Sequence, residues 1–111
     1  MSILGRFYFK QTIYGNLLGE FSNNKTSVNL TESANIIENY VGKFTGKYKT
    51  TWFQDEQHNL NLEITFRDNT NNNIYNLAWT DEKNKIVYFG EGFLVDEILV
   101  GDYRDFEKIQ E

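Results

Sequence analysis

A chain of 111 residues with 40% hydrophobic and 16% aromatic content is sized for a single domain, residues 1–111, whose core needs no covalent staples. It has no cysteine and a single histidine, His58, which excludes disulfides and thiolate zinc sites and leaves too few imidazoles for a histidine-based metal centre within one chain. The formal net charge of −5 withholds the basic footprint that nonspecific nucleic-acid binding requires, so no nucleic-acid partner is expected. No stretch approaches the roughly 20 apolar residues of a membrane helix. The start, Met1 to Arg6, lacks the apolar core and cleavage site of a signal peptide, so a cytoplasmic protein with no membrane partner is expected.

Taken in order, Ile3 to Tyr14 alternates as a half-buried strand, with Ile3, Phe7, Phe9 and Ile13 on one face. Gly15-Asn16 turns the chain, and Asn16 to Ser22 forms a second strand. After Asn23-Asn24-Lys25, Thr26 to Leu30 reads as a short third strand. Thr31 to Val41 is the one predicted helix. Ala34, Ile37, Tyr40 and Val41 recur at three- and four-residue steps, Thr31 or Ser33 caps the start, Glu32 falls in the first turn and Gly42 stops it. This helix is expected to plug one end of a sheet.

Phe44 to Gln54 alternates again, with Phe44, Gly46, Tyr48, Thr50 and Trp52 on one face. Leu60, Leu62, Ile64 and Phe66 give the clearest strand of the chain. Asp68 to Asn73 is a polar, Asn-rich loop for which mobility is expected. Tyr75, Leu77 and Trp79 line the inner face of the next strand. Ile86 to Arg104 then reads as a hairpin turning at Asp96-Glu97. Its first strand is apolar or glycine on both faces apart from Glu91, as at the seam of a closed sheet. Phe106 to Glu111 suggests a last helical turn.

The fold class expected is all-β: a meandering antiparallel barrel of seven or eight strands with one short helix. An open sheet packed on the helix is the alternative. Glycine followed two residues later by an aromatic recurs, as at Gly5-Phe7, Gly19-Phe21 and Gly101-Tyr103. Residues two apart share a strand face, so each aromatic is expected to lie over the bare glycine beside it.

Gly46-Lys47-Tyr48 with Trp52, then Tyr75, Leu77 and Trp79, then Gly90-Glu91-Gly92 and Leu99-Val100-Gly101-Asp102-Tyr103 together resemble the strand pattern of the calycin group. That group comprises lipocalins, fatty-acid-binding proteins and avidins. The resemblance spans roughly residues 44–104; the lipocalin Gly-x-Trp signature stands here as Gly46-Lys47-Tyr48. It implies a barrel with an apolar pocket and names no specific ligand.

No catalytic constellation is legible. Ser22, Ser27 and Ser33 lack a nucleophile elbow, and no phosphate loop, dinucleotide fingerprint or metal-ligand spacing occurs. The chain is therefore read as a non-enzyme without cofactor or metal. The candidate ligand-binding residues are Tyr48, Trp52, Tyr75, Trp79 and Tyr88, aromatics with polar tips on inferred inner faces, and Glu91, a carboxylate between two glycines. An isolated carboxylate inside a barrel is costly unless hydrogen-bonded or binding something; outside, at a bulge, it is solvated. Two functions are expected from this pattern. Either the barrel holds a small apolar or aromatic molecule between Trp52 and Trp79, or its core is filled and an outer face binds another protein, as inhibitor or immunity proteins do. The pattern assigns no oligomeric state.

Overall fold

The computed structural model describes residues 2–68 and 71–106, with only the backbone described at Asn71 and Asn72. Eight strands follow one another: β1 (Leu4–Gln11), β2 (Leu17–Asn23), β3 (Leu30–Asn39), β4 (Gly46–Gln54), β5 (Glu56–Asp68), β6 (Asn71–Thr80), β7 (Ile86–Val95) and β8 (Ile98–Asp105). Each pairs antiparallel with the next, and β1 also pairs with β8, so the sheet closes into a barrel. The expected all-β meander is thus observed, with eight strands. Closure removes the unpaired edges that an open sheet exposes.

The helix expected over Thr31 to Val41 is instead strand β3. Its buried residues are Glu32 and Ala34, two apart, whereas Ile37 and Val41 of the supposed helical face are 61% and 97% exposed. A β-bulge between Ile36 and Glu38 shifts the register against β4 and leaves the apolar Ile37 out of step. That extra residue produced the three-and-four spacing. The physical choice lies outside the segment: without β3, the edges of β2 and β4 would carry unpaired backbone groups. Thr26 is not a strand residue either; its N–H closes a turn onto the Asn23 carbonyl at 3.1 Å. Ile13 is 92% exposed because β1 ends at Gln11 and Thr12 caps the following turn, its hydroxyl accepting from the N–H groups of Tyr14 and Asn16.

Asp68 pairs directly with Asn71, so the loop expected at Asp68 to Asn73 is mostly strand; residues 69–70 lie outside the described part. The terminal helical turn falls on residues 107–111, also outside it; Phe106 itself donates its N–H to the Val87 carbonyl at 2.8 Å. Asp96 and Glu97 form the expected two-residue turn, both at positive φ (51° and 66°). Such turns match the twist of hairpin strands. No helix among the described residues is long and apolar enough to cross a membrane.

The interior is filled mainly by aromatic and aliphatic side chains; β7 contributes Gly90 and Gly92 and, at one end, the half-buried Tyr88. β7 and β8 approach so closely that a Cβ at Gly90 would stand 2.0 Å from the Asp102 carbonyl oxygen, and one at Gly101 2.0 Å from that of Glu91. Glycine is required there by backbone proximity. Aromatics do cover glycines, but from the neighbouring strand. Tyr103 lies over Gly5 and Phe9 over Gly19, each pair opposite in register. Same-strand spacing places the two residues on one face; cross-strand distance is shorter, and it decides the contact.

One end of the barrel is sealed. Phe44, in a left-handed conformation (φ 72°) in the β3–β4 connection, is fully buried there. It meets Tyr75 edge-to-face at 6.2 Å, and Tyr75 meets Phe66 at 4.9 Å. The Tyr48 hydroxyl donates to the Phe44 carbonyl at 2.7 Å. A connection, not a helix, is the plug.

Candidate functional site

The opposite end holds the one arrangement that packing alone does not explain. Glu32 points inward because β3 alternates Leu30, Glu32, Ala34, and its cross-strand neighbours are Gly19 on β2 and Trp52 on β4. It is 6% exposed. Trp79 Nε1 donates to Glu32 Oε2 at 3.1 Å, and Thr50 stands nearby, its hydroxyl donating to the Leu60 carbonyl at 3.3 Å. Burial outweighs the lowering by these two neighbours and raises the carboxyl from 4.5 to about 7.

Above Glu32 four rings close a circuit of edge-to-face contacts: Trp52 to Phe21 at 6.1 Å, Phe21 to Tyr103 at 6.3 Å, Tyr103 to Tyr88 at 5.6 Å, and Tyr88 back to Trp52 at 6.5 Å. Trp79 packs on Tyr103 at 5.8 Å and on Phe7 at 5.8 Å. The circuit encloses a hollow of about 60 Å³ reached past Asn23, Lys25 and Gln54. Asn23 Nδ2 donates to the Tyr103 hydroxyl at 2.8 Å. Desolvation raises Tyr103 to about 12 and also raises Tyr88; the Glu32 charge adds to both. Asp105 is another acid at this rim, acting on Tyr88, and its Oδ1 accepts the Ile3 N–H at 2.9 Å.

Of the residues singled out in the sequence, Trp52, Trp79 and Tyr88 meet at this open end. Tyr48 and Tyr75 are buried toward the sealed end, where they pack with Phe44. Glu91 lies on the outside of β7, its side chain 52% exposed, in an ion pair with Arg67. The alternation that turns Gly90 and Gly92 inward turns Glu91 outward. His58 lies in β5, stacked on Trp52 at 5.2 Å. Sequence reasoning missed Glu32, Phe21 and Tyr103 as site residues. For Glu32 a signal existed, since Leu30, Glu32, Ala34 and Ile36 alternate as one strand face; the helical reading hid it.

A larger hollow, about 700 Å³, lies on the outer surface between Tyr8, Glu20, Ile74, Phe93 and Val100. It is open to solvent, and its carboxylates are not buried, so volume alone does not make it the site. Among the described residues, no group of three or more His, Asp or Glu side chains gathers to hold a metal ion. No protein-family model, no curated protein and no solved structure matches this chain.

Proposed function

We propose that this chain is a non-catalytic binding module of calycin-like build that takes one small group of a ligand into its open end. The observation that carries this reading is Glu32, a carboxylate buried beneath a closed circuit of aromatic rings and, among the described residues, without a cationic partner. The two ion pairs found among the described residues, Lys43–Glu97 and Arg67–Glu91, do not include it. A buried ionised group without a counter-charge opposes folding, so its presence at a mouth is best understood through what it binds. Size restricts the ligand. About 60 Å³ compares with ~300–1,000 Å³ for ordinary ligand sites and with ~150 Å³ for an apolar cavity that admits benzene. A whole aromatic molecule does not fit between Trp52 and Trp79. A group of a few atoms does, with the rest of the ligand lying across the mouth. The absence of enzymatic activity is part of the same proposal: the sole histidine is occupied by the Trp52 ring and the Gln54 carbonyl, at 3.2 Å.

A second reading, binding of another protein by the outer surface, is favoured by one observation. Ile74 and Phe93, 36% and 55% exposed, border the outer groove beside Val100 and Tyr8. Fragment screening by amide and indole nuclear magnetic resonance separates the two. Mouth binding shifts the indole N–H signals of Trp52 and Trp79. Shifts confined to Ile74, Phe93 and Val100 would favour the outer face, and no indole shift from any fragment would end the mouth reading.

A further inference from the structure

We propose, with the mouth reading above as premise, that the group taken is a primary alkylammonium, its N–H bonds directed to Glu32 and its chain leading out between the rings. Three features of the site point to this class. A carboxylate offers about four acceptor positions, and the Trp79 indole fills one of them. Aromatic faces attract a cation and do nothing comparable for an anion, and Trp52, Trp79, Tyr88 and Tyr103 surround the hollow. The space, about 60 Å³, is well below the ~150 Å³ of a cavity that admits benzene. It suits a small head such as an ammonium, and a quaternary head has no N–H to give the carboxylate.

Charges facing the site agree with this class. Glu32 and the rim Asp105 are acidic, Tyr88 and Tyr103 are held neutral by burial, and among the described residues the one cation lining the mouth is the exposed Lys25. Lys25 carries the same chemistry as the proposed ligand and competes with it. His58, behind Trp52, is the remaining titratable neighbour. Because Glu32 titrates at about 7, a cation binds the ionised form and releases a proton. Apparent affinity should then rise about tenfold from pH 6 to pH 8, following the ionised fraction. An apolar ligand, which desolvates the carboxylate further, would show the opposite slope.

The test uses the intact protein and three probes of similar shape: n-butylamine, Nα-acetyl-lysine methylamide and n-butanol. Trp52 and Trp79 are the only two tryptophans of the chain, so fluorescence and indole N–H shifts report from the mouth. Both amines are expected to shift the Trp79 indole and to bind at least tenfold more tightly than n-butanol. Their affinity should gain about tenfold at pH 8 over pH 6. Glu32→Gln should remove the preference and the pH dependence, Lys25→Ala should tighten both amines, and His58→Gln should leave the slope in place. If Glu32→Gln does not fold, the pH slope and Lys25→Ala decide on folded protein. Tighter binding of the capped lysine assigns the group to a partner's side chain, and tighter binding of n-butylamine to a free amine; both support the class. Equal binding of n-butanol, or a slope of reversed sign, overturns the ammonium assignment while leaving the mouth reading intact. If no probe shifts either indole, both fall.

Discussion

The two ends of this barrel are built from the same kind of residue and finished differently. At the sealed end Phe44, Tyr48 and Tyr75 bury their rings, and the Tyr48 hydroxyl is satisfied by the Phe44 carbonyl. At the open end Trp52, Tyr88 and Tyr103 stand edge-to-face around a hollow, with a carboxylate beneath. Aromatics fill a core when a connection folds back over them, and they frame a mouth when none does. The open end is where stability is given up for a buried charge.

The largest expected effect breaks the sealed end. Phe44→Ala removes a fully buried ring and should destabilise by about 3–5 kcal/mol in urea denaturation. The half-buried Tyr88 at the mouth should cost clearly less when changed to Ala; an equal loss would erase the distinction.

Glu32→Gln should act in the other direction. Between pH 4.5 and about 7 the folded chain holds a proton that the unfolded chain has lost, so the parent loses stability as pH rises through that window. The loss is complete above it, at about 3 kcal/mol. The variant minus the parent should thus be near constant below pH 4.5 and shift toward the variant by that amount at pH 8. Denaturation across the pH range checks it, and a pH-independent difference would show that Glu32 is not buried as described.

Tyr48→Phe removes the hydroxyl and leaves a buried carbonyl without its donor, which should cost about 1–2 kcal/mol with no change at the mouth. Chemical denaturation together with the Trp52 and Trp79 indole shifts tests both halves. The smallest effect is expected outside. Glu91→Gln breaks an exposed pair with Arg67 and should change stability by less than ~1 kcal/mol, decreasingly so as salt is added. It should leave amine binding at the mouth untouched, as a titration of the variant would show.

Much of the barrel was legible in the sequence because a strand face is written in period two. Leu60, Leu62, Ile64 and Phe66, the Tyr75–Leu77–Trp79 row and the Asp96-Glu97 turn all stand where alternation and turn chemistry put them. β3 was misread because one bulged residue, Ile37, converts a strand pattern into a helical one. Half the candidate site was legible for the same reason: Trp52, Trp79 and Tyr88 are inward by alternation.

Sequence alone determined that this chain is all-β, that its interior is aromatic, and that Gly90, Gly92 and Gly101 mark tight coiling. Those are local properties, set by side-chain alternation and by the absence of a Cβ. Tertiary structure decided that β3 is a strand, because only its neighbours' unpaired backbone groups required one. It decided that Phe44 seals one end while the other stays open, because a connection's path is set by the strands it joins. It also decided that Glu32, and not Glu91, is the buried carboxylate. Which face of a strand is inside depends on register with the strands on either side, and no single strand carries that information.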